Sequence, residues 1–238
     1  MSGIFFRLAA LSAAVVVSGI VSGCAAESSE DPPAGDESES ALSEKYDVTA
    51  LMQDDEMRGG SKISVARIQA FLESKGSYLA TYSEGGRTAA TIIAEACREA
   101  NISPIYMLAR IQTESSLVSS GTSRSLRAAT GCACPDGAAC DRRNAGFAQQ
   151  VECAADLHAS YFDEMERNGV TRAEWGVGHK SRTLDPCSIT PRTKATAVLY
   201  TYTPWVGPRG KQCSSRGSSG STTLVSIFKS YENELSAP

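Results

Sequence analysis

Eight cysteines constrain this chain more than any other feature, because oxidised and reduced cysteines lead to different folds. The compartment decides between them, and the N-terminus bears on the compartment. Residues 1–22 carry Arg7 and then an apolar run from Leu8 to Val21. That run is too short and too weakly flanked for a permanent span, so it reads as a secretory signal. In an exported chain such cysteines favour disulfides over a reduced catalytic thiol or a metal site. Zinc is the rival reading for Cys132, Cys134 and Cys140, but their C-x-C-x5-C spacing lacks a paired C-x2-C or a nearby histidine set.

The signal ends in Val21-Ser22-Gly23-Cys24, which resembles the bacterial lipobox. The resemblance implies cleavage before Cys24 and acylation of that cysteine, with palmitate as a candidate chain and the envelope membrane as the partner. The alternative is an ordinary signal peptide with an unremarkable cysteine. Ala25 after Cys24 fits outer-membrane sorting, with the facing side left open. With Cys24 acylated, the other cysteines are odd in number and at least one stays unpaired. Cys97 lies in an Ala- and Ile-rich helical stretch and is read as that free, small buried hydrophobe.

Residues 25–45 are Ser, Glu, Asp, Pro and Gly with almost no apolar content. They cannot bury enough surface to offset ordering entropy, so 24–45 is expected to be an anchored, flexible acidic linker. Its seven acidic residues against Lys45 skew the whole-chain charge of −4, and the chain beyond it carries +1. Residues 167–229 hold ten Lys and Arg against Glu174 and Asp185, a net of +8. A basic half suits an anionic polymer such as peptidoglycan with its attached acids. An exported chain without a nucleic-acid motif speaks against nucleic acid.

Residues 46–238 read as one domain, mainly α. Ser64 caps a helix carrying Val65, Ile68, Phe71 and Leu72, stopped by Gly76. The pattern repeats from Gly86 to Ala100, with Asn101 beyond its end. Ser103-Pro104 is a helix start, and that helix runs through Ile105, Leu108 and Ile111 to about Leu117. A loop of Ser, Gly, Cys and Arg reaches Asn144. Phe147, Val151, Ala154, Leu157, Phe162 and Met165 mark a long amphipathic helix ended by Gly169. Residues 170–190 are irregular, Thr190-Pro191 restarts a helix that Pro204 ends, and Leu224 to Tyr231 form a closing helix. No alternating run supports a sizeable sheet.

Within Leu108–Leu117, Glu114 stands at the C-terminal end of an apolar helix. Partial burial and the negative end of the helix dipole both favour a protonated carboxyl. Met107 and Ile111 share its face and would supply an apolar wall, whereas Arg110, four residues earlier, would act oppositely if it pointed inward. A carboxylic acid of this kind can protonate a glycosidic oxygen. Most glutamates at helix ends are simply solvated, so this segment alone does not decide. His158 lies near the buried stripe of its helix and reads as structural, and His179 as a surface residue.

Glu114-Ser115 at a helix end, followed by a loop and Gly146-Phe147-Ala148-Gln149 opening a helix, resembles the lysozyme-like superfamily of goose-type lysozymes and lytic transglycosylases. A narrower resemblance, to an exported bacterial branch, covers most of residues 62–232. It rests on five ordered segments, namely Ile68 to Leu72, Ile102 to Leu117 (Q-x-E-x-S-L), Ala129 to Cys140 (C-P-D-x-x-x-C), Gly146 to Val151 (G-F-x-x-Q-V) and Ala195 to Pro204 (L-Y-x-Y-T-P). It implies a single lysozyme-like helical domain with long disulfide-bridged loops, Glu114 as general acid, and no cofactor or metal. It implies substrate contacts from Ser116, from Gln149 or Gln150, and from Tyr200, Tyr202 and Thr203, a tyrosine there stacking on a sugar face. The alternative is that Tyr200 is core and Tyr202 rim. Cys134 and Cys140 match one cysteine pair of the pattern, and Cys187 and Cys213 another. Cys132 and Cys153 depart from it and are read as an added bridge, so the expected pairs are Cys134–Cys140, Cys187–Cys213 and Cys132–Cys153. Sequence alone leaves the connectivity open.

Hydrolysis usually needs a second carboxylate. Asp136, Asp141 and Asp185 are the candidates, and Asp136 after Pro135 is equally a turn-former. Without one, the substrate's own hydroxyl attacks, as the transglycosylase resemblance implies. The expected function is cleavage of β-1,4-linked amino-sugar strands of peptidoglycan. The alternative is a non-catalytic glycan-binding or envelope-organising lipoprotein on the same fold. A lytic protein aimed at other cells is a third, and the oligomeric state is open.

Overall fold

Capping residues and apolar spacing set most of the helix boundaries. The computed structural model describes residues 45–134, 141–215 and 217–236. Among them the helices are α1 (Asp54–Met57), α2 (Val65–Ser74), α3 (Ala89–Ala100), α4 (Pro104–Ser115), α5 (Phe147–Asn168), α6 (Lys194–Tyr202) and α7 (Ser221–Ser236). The Ser64 hydroxyl accepts from Arg67 N, and Ser103 Oγ accepts from Tyr106 N ahead of Pro104. These bonds satisfy N–H groups that a helix start leaves without partners. Left-handed residues stop α3 at Asn101, φ 52°, and α5 at Gly169, φ 78°.

Two starts differ from the sequence expectation. The helix expected from Gly86 begins three residues later, because Gly85 and Gly86 turn a hairpin between β1 (Ser83–Glu84) and β2 (Arg87–Thr88). Both glycines have positive φ, 57° and 78°, which a two-residue hairpin turn requires. Thr88 then caps α3 by accepting from Thr91 N. Thr190-Pro191 likewise does not open α6. Thr193 does, accepting from Thr196 N, and part of the stretch read as irregular is a second hairpin, β3 (Ser181–Arg182) with β4 (Ser188–Ile189).

α4 is the axis of the body. Every residue from Pro104 to Ile111 is buried, and a helix buried on all sides is a core helix. It packs on α7 and α3, while α5 packs on α3 and α6. Arg87 of β2 ties α3 to α5 through Glu95 at 3.2 Å and Glu152 at 3.3 Å. Ahead of α1, Tyr46 N donates to Arg209 O and Lys211 N to Tyr46 O, while Val48, Leu51 and Met52 are buried. The chain is therefore tied into the helical body from Tyr46 onward.

Cys132 is bonded to Cys153 and Cys187 to Cys213, and Cys97 is a buried free thiol. A bridged Cys132 is no zinc ligand. Among the described residues no three His, Cys, Asp or Glu side chains gather to hold a metal ion. Cys134 is also disulfide-bonded. Cys140, its expected partner, lies outside the described residues, as do Asp136, Cys24 and the signal and linker segments. No helix among the described residues is long and apolar enough to cross a membrane.

Candidate active site

The last turn of α4 opens into a cleft of about 730 Å³. Thr113 and Glu114 form one side. Gly131 and Cys134 come from the loop after α4, and Tyr202 to Trp205 from the end of α6. Leu184 follows β3, and Ser215 and Ser219 precede α7. Glu114 is the one carboxylate among the described residues lining this cleft. Its side chain is 31% exposed.

Beneath Glu114 lies a charge that the apolar pattern of α4 concealed. Arg110 is fully buried, and its Nη1 donates to Glu114 Oε1 at 2.9 Å and to Thr203 Oγ1 at 2.8 Å. Nη2 donates to the Tyr106 hydroxyl at 3.0 Å, and Nε has no partner. Burial works against the guanidinium charge, but Tyr106, Glu114 and Tyr202 outweigh it, and the arginine holds its proton more firmly than usual. The apolar wall expected around Glu114 is thus replaced on one side by a cation. Met107 and Ile111 are wholly buried in the core.

The network continues inward. Tyr106 Oη is 2.7 Å from His158 Nε2, and His158 Nδ1 is 2.6 Å from Ala154 O. A carbonyl only accepts, so Nδ1 carries the proton and Nε2 accepts from the tyrosine. Burial, with Arg110 adding to it, pushes the His158 pKa down to about 3, so the imidazole is neutral. This histidine is a structural link between α4 and α5.

Several expected substrate contacts are used elsewhere. Tyr200 is fully buried, donates to Val48 O at 3.0 Å and stacks on Trp175, so it is a core residue and not a cleft residue. Gln150 is buried as well. Its Nε2 donates to Cys132 O and Asn144 O, and its Oε1 accepts from Thr130 N, so it fixes the loop instead of meeting a sugar. Gln149 is exposed but outside the cleft lining, as is Ser116, which ends α4 in the left-handed region at φ 56°. Tyr202 does line the cleft. Its hydroxyl donates to Thr130 O at 2.9 Å, and its ring meets Arg110 at 4.4 Å and His158 at 4.6 Å, so little of it is left for a ligand. Thr203 lines the cleft with its hydroxyl accepting from Arg110. No family model, curated protein or solved structure matches this chain.

Of the other carboxylates, Asp185 accepts from Val206 N and Gly207 N, which braces the segment after Trp205. Asp141 is paired with Arg143. Among the described residues neither lines the cleft. Sequence reasoning passed over Trp205, which directly follows the L-Y-x-Y-T-P segment, and weighed Arg110 only as a perturbation. The signal for Arg110 was present as a cation inside an otherwise apolar helix.

Glu114 Oε2 is the oxygen left open, since Oε1 is held by Arg110. A Cβ built on Gly131 would stand 3.1 Å from Oε2, and Gly131 has φ 74°, so the loop passes the carboxyl closely where glycine is needed twice over. One carboxylate with a fixed oxygen and a free one can give a proton to a bound group and take it back.

Proposed function

We propose that this chain is a glycosidase or lytic transglycosylase that cleaves β-1,4-linked amino-sugar strands of peptidoglycan, on a lysozyme-like helical domain. What carries the reading is Glu114, the one carboxylate in the described cleft lining, with Oε1 fixed by a buried arginine and Oε2 open. In this mechanism Oε2 delivers its proton to the glycosidic oxygen as the bond to the anomeric carbon breaks. The leaving sugar departs as an alcohol and the positive charge spreads over the ring. The ionised carboxylate then takes a proton from the incoming nucleophile, which is water or a hydroxyl of the same sugar. With no second carboxylate in the described lining, attack by the substrate's own hydroxyl is the simpler course, and it leaves an anhydro-sugar end. Asp136 would supply the hydrolytic alternative.

The test is incubation of the full chain with purified peptidoglycan and analysis of the soluble fragments. Release of muropeptides that falls about 10²–10⁴-fold in Glu114→Gln is expected. Anhydro ends identify the transglycosylase course and reducing ends the hydrolytic one. Binding without release, unchanged by Glu114→Gln, would leave a glycan-binding protein, a reading that the Arg110–Glu114 pair also favours because a charge-paired carboxylate makes a good acceptor for sugar hydroxyls.

Acylation of Cys24 would hold the domain at the bacterial envelope membrane, close to its polymer. Labelling with a palmitate analogue that disappears in Cys24→Ser is the expected outcome, and persistent labelling would remove the anchor from the proposal.

A further inference from the structure

The family resemblance implied a sugar-stacking surface from Tyr200 or Tyr202, with a core Tyr200 and a rim Tyr202 as the alternative, but the first is core and the second is covered by Arg110 and His158. An aromatic face on this cleft therefore has to come from another residue. Trp205 lines the cleft and is 44% exposed, and Leu184, on the same cleft, is 62% exposed. Water-exposed apolar side chains of this size at the mouth of a concave site mark a contact surface.

The backbone that carries the indole is held in place. Trp205 N donates to Thr203 O at 2.8 Å, and Trp205 O accepts from Ser221 N at 2.8 Å. Leu184 N donates to Pro204 O at 2.8 Å, tying the two apolar residues to one segment. Just beyond, both Asp185 oxygens accept from Val206 N. A tryptophan on a braced backbone loses little conformational entropy when a ligand covers it, which is what a stacking platform needs. Its Nε1–H donates to no described residue and is free for a ligand oxygen. Thr113 and Ser219 also line this cleft, and their hydroxyls suit the rim groups of a sugar ring.

We propose that Trp205, flanked by Leu184, is the stacking platform for a pyranose ring of the glycan strand in the Glu114 cleft. The apolar C–H face of a β-linked amino sugar lies on the indole, while its equatorial hydroxyl and acetamido groups reach the polar rim. The proposal rests on the glycan-strand reading of the site and names the residue that holds the strand.

The two tryptophans of the chain make the test direct, because Trp175 is buried at 3% exposure and Trp205 is not. Chitohexaose is titrated into the full-length Glu114→Gln variant and followed by tryptophan emission and acrylamide quenching. A blue shift and loss of quenching on saturation are expected. Trp205→Ala added to that variant should weaken binding at least tenfold and abolish the emission response, whereas Trp205→Phe should stay within about threefold. Unchanged thermal melting of both variants confirms that they fold. No binding, binding with unaltered emission, or equal affinity of Trp205→Ala would each overturn the platform. Fragment release by the otherwise unaltered chain separates the two ideas. Release with a KM indifferent to Trp205→Ala keeps the cleavage and discards the platform, and Trp205-dependent binding without release does the reverse.

Discussion

At the residue scale, the most consequential pair is a fully buried arginine under a partly exposed glutamate. Removing the partner of a buried charge costs more than the pair itself contributes. Glu114→Ala is therefore expected to destabilise the protein by about 1–3 kcal/mol in urea unfolding, the range for a buried group stripped of its acceptor. Glu114→Gln should cost clearly less, because its amide oxygen still accepts from Arg110. Equal losses would mean that the bond to Oε1 carries no stability. His158 yields a second expectation, with its sign set by the depressed pKa of about 3. Above about pH 6.5 both the folded and unfolded chains hold it neutral, while at lower pH only the unfolded chain takes up the proton. Stability should thus fall as pH drops from about 6.5 toward 3, by at most about 1.4 kcal/mol per pH unit from this group. His158→Gln should flatten that slope, and an unchanged slope would assign acid sensitivity to other groups.

At the scale of elements, what the sequence made readable depended on how local the controlling physics is. Ser64, Ser103 and Gly169 bound their helices through bonds or φ values set within a few residues, and these ends were plain in the sequence. Gly86 and Pro191 misled for the same local reason. A helix-like apolar pattern began next to each, but a tight hairpin in one case and a later threonine cap in the other claimed the residues first. The α4 start can be tested directly. Ser103→Ala leaves the buried Tyr106 N–H without its side-chain acceptor, and a loss of about 1 kcal/mol is expected in thermal or urea unfolding. Because α4 carries Arg110 and Glu114, the same variant should loosen the turn that bears Glu114 only slightly, as Ser116 caps it independently at the other end.

At the scale of the molecule, the core and the cleft differ in origin. The core follows from apolar periodicity and could be read along the chain. The cleft joins five stretches far apart in sequence, and three of them, around Gly131, Leu184 and Ser215, are loops in which no periodicity operates. Only the helix-end glutamate, from its position together with the resemblance, and the segment ending at Pro204, from the resemblance alone, could be anticipated there, while Trp205 and the inward turn of Arg110 depend on packing across the fold. Two of the bridges stand behind these walls. Cys132–Cys153 holds the Gly131 loop to α5 across a separation of 21 residues, and Cys187–Cys213 holds the β3–β4 hairpin to the segment before α7 across 26. Closing loops of that size restricts the unfolded chain by about 3 kcal/mol per bridge. The helices do not depend on them locally, since α4, α3 and α7 pack through their own apolar faces. Replacing Cys187 and Cys213 together by serine should therefore lower the melting temperature while leaving far-ultraviolet helicity at room temperature nearly unchanged. The proposed glycan binding should weaken more than the helicity does, because Leu184 and the serines before α7 lose their common tether. Loss of helicity in parallel with binding would mean that the bridge supports the core and not the cleft wall.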